Sequence, residues 1–139
     1  FLRPLGLRLV TQKVSSFIGE YVQTHIDKDD IFGSTGRTYI QLAKEEPNLF
    51  KIFILHKRNG ISSLDDLYQS ETNPDVAEFI SKNINISIEQ AKKLHLNMLI
   101  YTIGLGTIFS MTMPGISTDE IYAQQEMAYK AFLAQTINR

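Results

Sequence analysis

The stretch from Tyr39 to Arg58, YIQLAKEEPNLFKIFILHKR, constrains the fold more than any other part of the chain. A helical pattern runs into Glu45 and Glu46, breaks at Pro47 and restarts as an apolar segment. Proline has no N–H to donate, and its ring disfavours the α conformation of the residue before it, so one helix must stop at Glu46. The same proline suits the first turn of a new helix, whose positive end favours Glu45 and Glu46 nearby. From Leu49 to Leu55 only Lys51 is polar. Such a helix is not a simple surface helix and requires cover on more than one side, from other helices or from a ligand.

Helix starts and stops recur along the rest of the chain, and strand signals are nearly absent. A first helix is expected from about Leu5 to His25, with Val10, Val14, Phe17, Ile18, Tyr21 and Val22 at helical spacing. Asp27 to Asp30 form a polar break. A second helix then runs from Ile31 to Glu45, with Phe32, Tyr39, Ile40 and Ala43 on its apolar side and a start distorted by Gly33 and Gly36. The third runs from Pro47 to about Lys57 and is followed by the turn signal Asn59-Gly60. Two short helices follow, near Ser63–Gln69 and Pro74–Ile84, the latter with Asn73 as N-cap and Pro74 in the first turn.

Ser87 and Gln90 have capping-box spacing and open a long helix reaching about Thr112, before Pro114-Gly115. Ser117 and Glu120 repeat that spacing, Ile116 and Ile121 are placed as a hydrophobic staple, and a last helix runs from Thr118 towards Ile137. The expectation is one all-α domain over residues 1–139, a bundle of about seven helices. At 139 residues it is large enough for a core without metal or disulfide staples.

Fourteen basic against fifteen acidic residues leave no global attraction to nucleic acid or anionic lipid. Cysteine is absent, which excludes thiol catalysis and Cys-ligated zinc and is compatible with a reducing compartment. The chain begins at Phe1 without a signal-peptide pattern and reads as a fragment preceded by an N-terminal part.

Leu96 to Met113 lacks charge for eighteen residues, the lower limit for a membrane span. Its Asn97, Thr102, Thr107, Ser110 and Thr112, and the lack of a second span, favour a buried helix and no membrane contact. Met98, Tyr101, Leu105 and Phe109 lie on one face of it, towards the interior or a cavity. Ile100, Gly104, Thr107, Ile108 and Met111 lie on another, where small residues permit a second helix to approach.

No motif marks a reaction. GLGT at 104–107 lies within a helix and lacks the third glycine of a dinucleotide fingerprint, and GSTGR at 33–37 lacks the ending of a phosphate loop. His25, His56 and His95 fall on different helices with no metal-site spacing. His56 and His95 could meet at a polar ligand group, but surface or satisfied core histidines are the commoner case. Asp65-Asp66 and Glu45-Glu46 read as solvated or capping carboxylates. Tyr39, Phe50, Phe53, Met98, Tyr101, Phe109, Met111 and Met113 form an ordinary core, or collectively line an adaptable apolar pocket.

These residues resemble the C-terminal domain of TetR/AcrR-type transcriptional regulators. The resemblance is carried by Ala43-Lys44-Glu45-Glu46-Pro47-Asn48-Leu49-Phe50, and by Ser87-Ile88-Glu89-Gln90-Ala91 leading to Ile103-Gly104. Many relatives have Trp-x-x-x-His-Gly in the long helix. Here the corresponding residues are Leu99, Ile103 and Gly104, so only the glycine is kept and the family's histidine has no counterpart.

The resemblance implies a non-enzymatic, cytoplasmic homodimer without a cofactor or metal, sensing a small, largely apolar effector. Operator DNA would be bound through an N-terminal helix-turn-helix that this chain does not include. Arg3, Arg8 and Lys13 give the first helix a basic beginning that would lie near phosphate or simply be solvated. The expected pocket residues are Tyr39, Phe50, Phe53, Met98, Tyr101 and Leu105; those of the dimer interface are Gly104, Ile108, Met127, Ala128 and Ala131. The rivals are a stand-alone helical enzyme or apolar-ligand-binding protein, and a purely structural dimerisation module.

Overall fold

The computed structural model describes residues 4–25, 27, 30–112 and 115–137. Arg3, Met113, Pro114, and Lys28 and Asp29 of the polar break lie outside these residues, as does the side chain of Val22. Seven helices make up the described chain: α1 (Pro4–His25), α2 (Ile31–Glu45), α3 (Pro47–Leu55), α4 (Leu64–Glu71), α5 (Pro74–Ile84), α6 (Ile88–Ser110) and α7 (Thr118–Ile137). Among the described residues there is no strand, and the architecture is an all-α bundle.

Local chemistry accounts for the helix ends. Glu46 leaves the helical region (φ −131°, ψ 63°), closing α2 and opening α3, with Pro47 in the first turn. Its N–H still donates to the Leu42 carbonyl (2.8 Å), and its own carbonyl accepts from Phe50 N (2.9 Å), so the corner costs little backbone hydrogen bonding. The Glu46 side chain makes no capping bond to α3.

Asn73 caps α5, Ser63 caps α4, and Ser87 with Gln90 forms a full capping box on α6. Ser117 Oγ accepts from Glu120 N at 3.2 Å, and Ile116 packs in the same cluster as Ile121. The start of α2 is helical from Ile31, capped by Asp30 through Gly33 N at 3.0 Å. Gly33 serves this cap: a Cβ there would lie 2.3 Å from Asp30 Oδ2. The expected distortion is therefore replaced by a close approach.

Three ends differ from expectation. His56 turns extended (ψ 146°), so α3 stops at Leu55 and not Lys57. Arg58 Nη1 takes up the Ile54 carbonyl there at 2.8 Å. α4 extends to Glu71, and α6 ends at Ser110.

The central helix is α2, which packs against α1, α3, α6 and α7. Ser34, Thr38, Ile40, Leu42 and Ala43 are all buried, at positions distributed around its circumference. Cover on several sides thus falls most completely on α2. α3 packs on α1, α2 and α6 and buries Phe50, yet leaves Ile52 and Leu55 exposed. Ile52 and Leu55 lie on the side of α3 turned away from buried Phe50, so its neighbours cover the Phe50 face and leave the other open.

Val14 of α1 joins Leu42, Ala43 and Phe50 in one core cluster. Ala77 and Ile80 of α5 join Ala91, Leu94 and Met98 of α6 and Ala128 of α7 in another. No helix among the described residues is long and apolar enough to cross a membrane.

Candidate ligand-binding cavity

The helices do not close over the middle of α6. A cavity of about 710 Å³ is walled by α2, α3, α5, α6 and α7, with the end of α4 at its edge. That volume lies within the usual range for small-molecule sites, about 300–1,000 Å³.

Each wall follows from helical spacing. From α6 come His95, Met98, Leu99, Thr102 and Ile103, three or four residues apart on one face. α2 supplies Phe32, Arg37 and Tyr39, and α3 supplies Phe50, Phe53 and Ile54. The α5 wall is Val76, Phe79 and Ile80, and α7 closes the space with Tyr122, Gln125, Glu126 and Tyr129.

Tyr39, Phe50, Phe53 and Met98 therefore lie together on the lining, whereas Tyr101 and Leu105 do not. The Tyr101 hydroxyl accepts from Gln124 Nε2 at 2.7 Å, and its ring packs edge-on against Phe132. Leu105 packs against the cluster of Ile40, Phe109 and Ile121. The buried line of α6 is Ala91, Leu94, Met98, Thr102, Gly106 and Phe109, which passes beside both. Gly106 is what brings Phe50 in: a Cβ there would lie 2.5 Å from Phe50 Cζ.

Polar side chains are interspersed with the apolar ones on the lining, and most of them are tied to partners. His95 Nδ1 shares a hydrogen bond with the Tyr68 hydroxyl at 2.8 Å, and its ring meets both Tyr68 and Phe32 edge-on. Burial pushes the imidazole down to about 4, so it is neutral at pH 7. Gln125 Nε2 donates to Thr102 Oγ1 at 3.1 Å.

Arg37 reaches Asp30 Oδ2 at 3.4 Å and Ser34 Oγ at 3.3 Å, which removes the anion-site reading of the GSTGR segment. Glu71 pairs with Arg58. The Tyr39 hydroxyl has no hydrogen-bond partner among the described residues; burial, then the nearby Glu71 carboxylate, raises its phenol above the ordinary value. Tyr129 is raised by burial and then by Asp30 and Glu126.

His95, named from the sequence as a possible contact to a polar ligand group, does line the cavity, whereas its Tyr68 partner and the α5 wall were not visible there. The available signal was spacing, since His95 stands three and four residues before Met98 and Leu99. His56 bonds back to the Phe53 carbonyl and does not line the cavity, and His25 stacks on Tyr21 in an exposed position. Asp66 is held below its ordinary value first by the Ser62 N–H and then by the Ser62 hydroxyl, as a turn and first-turn group of α4. Among the described residues no cluster of His, Asp and Glu could hold a metal ion.

The opposite side of α6 carries an uncovered apolar stripe. Ile100 is 45%, Ile108 52% and Met111 63% exposed, with exposed Gly104 between them and open space beyond it. On α7, Met127 and Ala131 are also exposed. Gln124, on their side of α7, bonds to Tyr101 of α6, so the two strips are neighbours. Ala128 is not part of this surface. It is 6% exposed and faces the core with Ile121 and Gln125, one position round the helix from Met127. No family model, curated protein or solved structure matches the chain.

Proposed function

We propose that this chain is the ligand-sensing and dimerisation domain of a TetR-like transcriptional regulator, a repressor whose operator affinity is altered by a small, largely apolar effector. The observation that carries this reading is the double use of α6. Its inner face is a wall of the cavity, and its outer face, with α7, is an apolar surface without cover. Two copies pairing α6 and α7 would form a four-helix interface, the self-complementary arrangement of a twofold dimer.

Effector binding between α2, α3 and α6 then has a route to α1, which packs on α2 and α3. In the complete regulator α1 would lead to the DNA-binding head. Half-sites lie about 34 Å apart, so a change of head spacing by a few ångströms would spoil the fit to successive major grooves. The effector acts only to the extent that it binds one spacing better than the other.

The test is to express the complete reading frame and select against random duplex DNA. Retention of a palindromic sequence supports the reading. A purified full-length protein that retains no sequence in preference to others contradicts it.

A further inference from the structure

The charges around the cavity are unequal. Among the described residues its lining includes four carboxylates, Asp30, Glu71, Asp75 and Glu126, against one cationic side chain, Arg37. Arg37 is already bound to Asp30 at 3.4 Å. Glu71 is matched by Arg58, from outside the lining. Asp75 and Glu126 remain, the latter only loosely approached by exposed Lys130 at 3.8 Å. Among the described residues no lysine lines the space, and His95 is uncharged at neutral pH.

Between these carboxylates stand aromatic walls, including Tyr39, Phe53, Phe79 and Tyr129. Ring faces attract cations, and more strongly where water is excluded. An anion would enter without a free counter-charge and would lose its hydration against like charges. The phenols record the same asymmetry: Asp30 and Glu126 both act on Tyr129, and Glu71 acts on Tyr39.

We propose that the cavity takes an amphipathic organic cation, with an apolar aromatic or aliphatic body among the rings and its positive charge held by the surplus carboxylates. This rests on the ligand-sensing reading and names the chemical class of its effector. The ligand is selected by charge as well as by bulk: anionic amphiphiles such as fatty carboxylates are disfavoured.

Tetraphenylphosphonium and tetraphenylborate test this, since they match in size and differ in sign of charge. The chain has no tryptophan, so Leu99→Trp on the cavity wall provides an emission signal that reports occupancy of the cavity itself. Titrations in sodium buffer at pH 7, repeated calorimetrically on the unsubstituted protein, should show the phosphonium binding roughly tenfold or more tighter than the borate. Glu126→Gln and Asp75→Asn, both at exposed positions, should each weaken the phosphonium by about two- to fivefold while leaving the melting temperature unchanged.

Equal affinities, tighter borate binding, or indifference of the phosphonium to both substitutions would overturn the charge assignment alone. If neither ion perturbs the cavity reporter or releases heat, the ligand-sensing reading falls with it.

Discussion

Two glycines of α6, two residues apart, face opposite worlds. Gly106 points inward, where a Cβ would meet the Phe50 ring at 2.5 Å. Gly104 points outward, where a Cβ would meet nothing. The same contrast runs along the helix: Met98, Thr102, Gly106 and Phe109 are buried, while Ile100, Gly104, Ile108 and Met111 are not. Apolarity on the inner line is explained by the core and the cavity. On the outer line nothing among the described residues of one chain explains it. This difference locates the parts of the fold that one copy completes, and the part we propose a second copy completes.

The inner line should be costly to disturb. Phe50 is 1% exposed, so Phe50→Ala should lower unfolding stability by about 3–5 kcal/mol in urea titrations. A loss near the surface average would mean that the Gly106–Phe50 contact contributes little.

His95 gives a comparable effect with a pH signature. Its folded value of about 4 lies below the ordinary 6.5, so the unfolded chain binds more protons between those values. Stability should therefore fall as pH drops through that window, by on the order of 3 kcal/mol from this group. Chemical denaturation at a series of pH values should show the His95→Gln variant losing that part of the slope. An unchanged slope would mean that the imidazole is not held neutral in the fold.

The glycines give the sharpest paired test at smaller magnitude. Gly106→Ala forces the Phe50 ring to move and should cost about 1–2 kcal/mol net of the helix propensity gained. Gly104→Ala meets open space within one chain and, in the single-chain Ile108→Glu background, should stabilise the fold by about 0.5–1 kcal/mol. Thermal melts of both variants in that background with the same sign of shift would erase the distinction between the two faces.

The helix ends were legible because their causes are local. Pro47, Asn73-Pro74 and the Ser87/Gln90 box act within one turn, and each stands where its spacing implies. The facing of side chains was less legible. α6 is apolar nearly all round, so no polar face sets its rotational phase, and a shift of one position moves a side chain by about 100°. Tyr101 and Leu105 fall beside the cavity for this reason. Ala128 falls into the core by the same kind of slip on α7, where alanines occur on both faces.

The cavity itself was legible only as an excess of large side chains on α2, α3 and α6. Its α5 wall of Val76, Phe79 and Ile80, and the Tyr68–His95 pair, depend on contacts between segments distant in sequence. The four carboxylates on its lining come from four separate segments, and only the fold gathers them.

The outer stripe carries the central claim, and sedimentation equilibrium of the purified chain at micromolar concentration tests it most directly, beside Ile108→Glu. Ile108 is 52% exposed, so that substitution should leave the helical fold of the single chain intact. The account predicts twice the mass of a single chain for the unsubstituted protein and a single-chain mass for the variant. A single-chain mass for both would contradict the proposed α6–α7 interface.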